Sequence, residues 1–255
     1  SSIFIPEQMS SFVDVLDAKD SSGLGFSPEH TKGHFYMCDL SSVLEASCLL
    51  AVGAEGDIRI ADCCASPGGK SVIASQLLRP SFLVANEFER KRLGQLKENV
   101  SRCLSGRQNL TQPSAIQIEN SDTRDLARKY GATFEVVIVD APCSGQSLVA
   151  RGVTNHGCFT PHIVKANAKR QKEVISNSAA LVKSGGYMAY MTCTFDQREC
   201  ENIIDKFLIN HSDFHAIEVP QLSPRKSPHS ANFCYRFYPH LGDGAGGFCA
   251  VMRKG

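Results

Sequence analysis

From residue 58 onward the chain alternates short apolar runs with longer stretches in which apolar residues recur every three or four positions. The runs at 58–62, 82–86, 115–119, 135–139 and 187–191 are short enough, and apolar or alternating enough, to predict buried strands. Between them the spacing predicts helices over 69–78, 89–104 and 162–183, the last ended by Gly185-Gly186. Asp196 and Glu199 stand at the spacing of a capping box and predict a helix from there to about 209. Residues 214–219 and 247–252 predict two further strands. Strands alternating with helices predict an α/β fold, a seven-stranded, mostly parallel sheet with helices on both faces. Residues 1–57 lack this rhythm. They are Ser-rich and broken by Gly23, Gly25, Pro28 and Gly33, with one helix predicted over 41–52. The chain therefore reads as an N-terminal segment, 1–57, and one domain, 58–255. Residues 220–230 are the expected mobile loop.

Composition narrows the class. With 42% hydrophobic and 21% charged residues, a disordered chain is excluded. The longest apolar runs, such as 136–139, fall far short of the roughly 20 residues of a membrane span. No apolar signal segment opens the chain, which begins at Ser1 rather than Met, so a trimmed fragment is expected. Eleven cysteines cannot all pair, and none forms a C-x-x-C motif. No zinc cluster or other metal site is expected. Most of the thiols read as small core residues in a reducing, intracellular setting, with the cytoplasm expected first and the nucleolus or an organelle as the alternatives. A net charge of +1 excludes a uniformly basic surface. Any nucleic-acid contact must then use local patches. Arg151, Lys165, Lys169, Arg170 and Lys172 form one, and the stretch from Arg90 to Arg107 another. Such runs are more often solvated helix faces, but the first directly follows the loop at Cys143. Phe159, Tyr235 and Phe237 could stack on bases, although core packing is the commoner role for each.

In a parallel α/β sheet, ligands sit beyond the carboxyl ends of the strands. Asp62, Glu87, Asp122 and Asp140 follow four successive strands there. Four carboxylates at one edge point to a ligand rich in hydroxyl and amino donors. The first turn, Cys64-Ala65-Ser66-Pro67-Gly68-Gly69-Lys70, leads into a helix, so two glycines allow close backbone approach. Gly69-Lys70-Ser71 matches the end of a phosphate-binding P-loop, but Cys64 stands where that motif needs its first glycine. A nucleotide hydrolase is the weaker reading. Lys70 is a partner for Asp62, a cofactor contact, or a solvated lysine at a helix start. Glu87, 19 residues beyond Gly68, fits a ribose contact. Asp122 fits either an adenine contact or a helix N-cap. Ribose and adenine contacts without a phosphate loop point to S-adenosylmethionine.

Cys143, in Asp140-Ala141-Pro142-Cys143-Ser144-Gly145, and Cys193, in Thr192-Cys193-Thr194, end adjacent predicted strands. They are two buried thiols, a redox pair, or a reactive pair at the functional edge. Together with the Cys64–Lys70 turn, these segments resemble the Sun family of RNA cytosine methyltransferases, which includes bacterial Fmu-type and eukaryotic Nop/Sun proteins. The resemblance runs from residue 33 to 255. It includes Asp39-Leu40-Ser41-Ser42, Asn86-Glu87, Asp122, Arg236-Phe237-Tyr238-Pro239-His240 and Gly247-Phe248. It implies a Rossmann-like, S-adenosylmethionine-dependent methyltransferase fold and formation of 5-methylcytosine in rRNA or tRNA. It further implies a cofactor site formed by Cys64, Ala65, Ser66, Pro67, Gly68, Gly69, Lys70, Glu87, Asp122 and Asp140. Cys193 is then the nucleophile and Cys143 assists release of the methylated RNA, while Asp140 is expected to touch the base as well. The target cytosine would be single-stranded or flipped. Specificity would come from a protein partner or a missing RNA-binding module. Three positions depart from the family pattern: Cys38 replaces a Gln, Ser66 an Ala, and Glu87 a shorter Asp. The remaining alternative, a silent RNA-binding protein of the same fold, sits badly with two intact cysteines.

Overall fold

The computed structural model describes residues 23–53, 56–104, 115–154 and 156–255. Residues 1–22 of the N-terminal segment lie outside that set, as does Arg107 of the second basic patch. Among the described residues there are eight strands: β1 (Arg59–Asp62), β2 (Phe82–Asn86), β3 (Ala115–Glu119), β4 (Phe134–Asp140), β5 (Val182–Thr192), β6 (Phe214–Ala216), β7 (Cys234–Phe237) and β8 (Gly247–Lys254). The helices are α1 (Pro28–Thr31), α2 (Leu40–Ala46), α3 (Gly69–Leu78), α4 (Leu93–Leu104), α5 (Thr123–Tyr130), α6 (Pro161–Ala179) and α7 (Glu201–Asn210). The sheet runs β3-β2-β1-β4-β5-β8-β6, with β7 also paired to β8. β1 to β5 are parallel to one another, and β8 is antiparallel to β5, β6 and β7.

Alternation along the strands builds two cores. Ala61, Val137, Val139 and Tyr190 face α5, α6 and α7 through Leu126, Ile175, Ile203 and Phe207. Ile60, Val136, Ile138 and Met191 face the other way, against Leu44 and Leu49 beside α2 and Ala74 of α3. The expected α/β architecture with helices on both faces is therefore present. None of the described helices is long and apolar enough to cross a membrane.

Four expectations are corrected. The sheet has eight strands, because β7 pairs with β8. α6 ends at Ala179, and Gly185-Gly186 lies inside β5 instead of closing the helix. There the β4–β5 register shifts. Gly185 takes φ +77°, and a Cβ on Gly186 would meet the Glu135 and Phe134 carbonyl oxygens at 3.0 and 3.1 Å. Asp196 and Glu199 do not form a capping box. Asp196 caps only a short 3-10 turn, Gln197–Glu199, and α7 starts afterwards at Glu201. Finally, the stretch expected to be a mobile loop is tied down. It contains a 3-10 turn with Leu222 buried, Arg225 clasps Asp243 at 2.7 and 2.8 Å, and the Ser227 hydroxyl donates to Glu201.

Candidate active site

The carboxyl ends of β1, β2, β4 and β5 open into one cleft of about 1100 Å³. Cys64, Ala65, Ser66, Pro67, Gly69, Lys70, Glu87, Asp122, Asp140, Cys143 and Cys193 all line it. Gly68 stands at the start of α3 with φ +114°, a conformation that favours glycine, and brings the turn onto the helix. A Cβ on Gly69 would press on the Tyr36 ring at 3.1 Å. At the end of β2, Asn86 ties the sheet edge together by donating to the Cys63 and Ser121 carbonyls. Glu87 follows. Its Oε1 accepts the Glu89 N–H at 2.8 Å. Its Oε2 is buried, makes no hydrogen bond and lies 3.5 Å from Arg92. That oxygen is an acceptor in want of a donor, as a ribose hydroxyl would provide. Asp122 caps α5, its carboxylate accepting the Arg124 N–H at 2.8 Å, and it also lines the cleft.

Lys70 is not a solvated lysine, nor is Asp62 its ion partner. The ammonium is buried, 2.6 Å from Glu45 Oε2 and 3.4 Å from Asp140 Oδ2. Held by two carboxylates, it is raised above its usual value despite burial. It is therefore not presented to a phosphate as a P-loop lysine must be. Asp62 instead accepts the Ser71 hydroxyl at 2.6 Å, and burial pushes its carboxyl up to about 7.

The thiols of Cys143 and Cys193 lie 3.1 Å apart, although 50 residues separate them in the chain. Parallel pairing of β4 with β5 brings the two turns side by side, and polar bonds stitch them. Ser144 Oγ lies 2.9 Å from Thr194 Oγ1, the Phe195 N–H donates to Gln146, and the Ser147 N–H donates to the Cys193 carbonyl. Beneath them, Glu199 accepts from the Ser144 N–H at 2.9 Å, from its hydroxyl at 2.5 Å, and from Gln171 at 2.9 Å. Gln171 also donates to the Pro142 carbonyl. The two thiols divide in character. Cys193 is lowered below the ordinary thiol value, chiefly by the bond from Cys143 and also by Lys70. Cys143 is raised well above it by the same bond and by burial. The arrangement supplies a thiolate beside a thiol that retains its proton.

Glu45 and Glu199 were missed at the level of sequence. Glu45 carried no signal, because only the docking of α2 on α3 brings it to Lys70. Glu199 was legible as an acid near Cys193 but matched a local capping rule. Of the basic patches, Arg151, Arg170, Lys91, Arg92 and Arg102 reach the rim of the cleft. Tyr235 and Phe237 are buried in the core, as the commoner reading had it, whereas Phe159 is 62% exposed and does not pack there. Phe88, not singled out before, is 64% exposed at the cleft.

Residues 49–253 match the family described as 16S rRNA methyltransferase RsmB/F. Among curated relatives, ribosomal RNA small subunit methyltransferase F of Serratia proteamaculans is 33% identical over 91% of this chain and 47% of its own length. Its Escherichia coli O157:H7 counterpart is 30% identical over 93% of this chain and 48% of its own. The chain thus spans about half the length of the curated relatives it matches. Among solved structures, NSun6 from Pyrococcus horikoshii with SFG superposes with TM-score 0.73 at 26% identity, over 90% of this chain and 56% of that one. A methyltransferase homolog protein from the same organism gives 0.71 at 22% identity, over 92% and 73%, a likeness of fold.

Proposed function

Because the chain belongs to the 16S rRNA methyltransferase RsmB/F family, we propose that it is an S-adenosylmethionine-dependent RNA methyltransferase that forms 5-methylcytosine through a covalent cysteine–cytosine intermediate. The observation that carries this reading is the pair of unlike thiols 3.1 Å apart on the floor of the cleft. Carbon 5 of cytosine is too weak a nucleophile to accept a methyl group unaided. Cys193, as thiolate, adds to carbon 6 and pushes electron density onto carbon 5. With Cys193 bonded to carbon 6, the hydrogen bond that held the Cys143 proton is gone; Cys143 releases that proton to solvent and, as thiolate, takes the carbon-5 proton, and the electrons of the carbon–hydrogen bond re-form the ring double bond and expel the Cys193 thiolate. S-adenosylmethionine supplies the methyl group on a sulfonium centre.

The residues present fit that cofactor. Glu87 offers its unbonded oxygen to the ribose, Asp122 stands at the adenine position, and the Cys64–Lys70 turn, with Ala65, Ser66, Pro67, Gly68 and Gly69, forms the near wall. Asp140 lies 3.4 Å from the Lys70 ammonium and its charge acts on Cys193, and we assign it to both base and cofactor. Asp140→Asn should then slow methyl transfer more than it weakens cofactor binding; equal losses would remove the dual role. Ribosomal RNA is the substrate class, supported by the names of the curated relatives. Arg151 and Arg170 on one rim and Lys91, Arg92 and Arg102 on the other support backbone contact. With a net charge of only +1, choice among RNAs is assigned to a protein partner or a further RNA-binding module. A cytoplasmic site of action accompanies this substrate. We place the catalytic domain at 58–255, with the N-terminal segment contributing α2 to its core.

Thermal unfolding with S-adenosylmethionine, and separately with ATP and magnesium, tests the cofactor. Ligand at 100 times its dissociation constant adds about 2.7 kcal/mol, a rise of roughly 5–10 °C for a domain this size. A rise with ATP alone would overturn the assignment. Cys143→Ala incubated with RNA and cofactor should leave RNA attached to Cys193 after denaturation, and an adduct that persists in Cys143→Ala,Cys193→Ala would exclude Cys193.

A further inference from the structure

Glu45 projects from α2 into the same cleft, outside every motif that marks the site. Its Oε2 receives the Lys70 ammonium at 2.6 Å, and its Oε1 is buried without a hydrogen bond. Glu45 is 2% exposed and Lys70 6%. Asp140 faces the same ammonium at 3.4 Å. Two carboxyl groups therefore share one cation. As a mere fastener of α2 to α3 this is a poor arrangement, because burying ions costs several kcal/mol each and an apolar pair would pack at lower cost. Lys70 is also one of the two groups that favour the Cys193 thiolate from outside its own turn, the other being Cys143.

Building on the methyltransferase reading of the cleft, we propose that Glu45 is a positioning residue for the reaction. Through its bond to Lys70 it fixes the ammonium beside Asp140 and sets how much of that positive charge reaches Cys193. The charged and titratable groups around it are Lys70 from α3, Asp140 from the end of β4, Cys193 after β5, and Cys249 from β8. Burial pushes the Glu45 carboxyl up to about 8, with Asp140 and Cys193 adding to the effect. While Glu45 holds its proton, the Lys70 charge acts on Asp140 and Cys193. Once Glu45 ionises, it neutralises the ammonium and the thiolate loses support. The coupling is reciprocal, so each group's ionisation moves the other's.

The test reads the thiol directly. In the full chain, the rate at which iodoacetamide alkylates Cys193 is followed from pH 6 to 10 by mass spectrometry of the Cys193 peptide. Glu45→Gln keeps an oxygen for Lys70 but cannot ionise. It should shift the alkylation midpoint down by about half a unit, roughly threefold more thiolate below the midpoint. The pH profile of kcat should move in the same direction. Superimposable alkylation profiles for the two proteins overturn the proposal. If Glu45→Gln does not fold, carboxyl-labelled ¹³C NMR of the unsubstituted chain decides: alkylating Cys193 should lower the Glu45 midpoint, and an unmoved midpoint overturns the coupling. The alkylation and NMR measurements need neither RNA nor cofactor. Failure of S-adenosylmethionine to stabilise the protein would remove the methyltransferase reading while leaving the Glu45–Cys193 coupling to be judged by its own result.

Discussion

Cys193 owes its low value first to the hydrogen bond from Cys143. Cys143→Ala removes that donor, so the alkylation midpoint of Cys193 should rise. This is opposite in sign to the change expected at Glu45, and mass spectrometry of the same peptide checks it. An unchanged midpoint would mean that the 3.1 Å contact does not persist in solution. Glu199 is the second residue on which this geometry depends. Glu199→Ala deletes the acceptor shared by Ser144 and Gln171, beneath the Cys143 turn. A loss of roughly 2–4 kcal/mol in urea denaturation is expected, with kcat falling further than cofactor affinity. The places of Glu87, Asp140 and the two cysteines on the cleft were legible because each lies at or just beyond the carboxyl end of a strand. Glu45 and Glu199 were not. A partner on another helix leaves no trace in local spacing, and at Glu199 a local rule offered a sufficient explanation that tertiary contacts then overrode.

Among the elements, α5 separates two roles carried by one side chain. Asp122 caps the helix and faces the cleft. Asp122→Ala should cost about 1 kcal/mol of stability through the lost cap. Asp122→Asn caps nearly as well and should leave stability almost unchanged. Both variants should weaken S-adenosylmethionine, measured by titration calorimetry. Full affinity in Asp122→Asn would leave Asp122 as a cap alone. The parallel strands were readable because burial on both faces makes them continuous apolar runs. β7 was not, because Arg236 interrupts it. Its guanidinium is buried against both oxygens of Glu201, 35 residues away in sequence, a pairing that no strand pattern encodes. Gly185-Gly186 misled for a related reason: the pair that can end a helix also permits a bulge where a neighbouring backbone comes close.

For the molecule as a whole, buried acids set the pH range of stability. Glu45 moves from 4.5 up to about 8 and Asp62 from 3.8 up to about 7. Between those limits the folded protein holds protons that the unfolded chain has released, so stability falls as pH rises through this window. Asp39 and Glu201 act in the other direction. Hydrogen bonds from Ser41 and Arg236 hold them below their ordinary values, and the stability they contribute is lost as pH falls through those lowered values. The urea midpoint should therefore peak near pH 4 and decline toward pH 8, as denaturation across buffers would record. A midpoint rising from pH 5 to 8 would place the Glu45 and Asp62 protons elsewhere. β8 adds a constraint of timing. It is paired on both edges, and Ala245 just before it donates to Asp39, which lies 206 residues earlier. On the ribosome, β1 to β4 can assemble as they emerge, but β5 keeps one bare edge until residues 247–254 have left the exit tunnel. During that interval the nascent chain offers a strand edge to any neighbour able to extend it, which makes this stretch of synthesis the natural point for a chaperone to act.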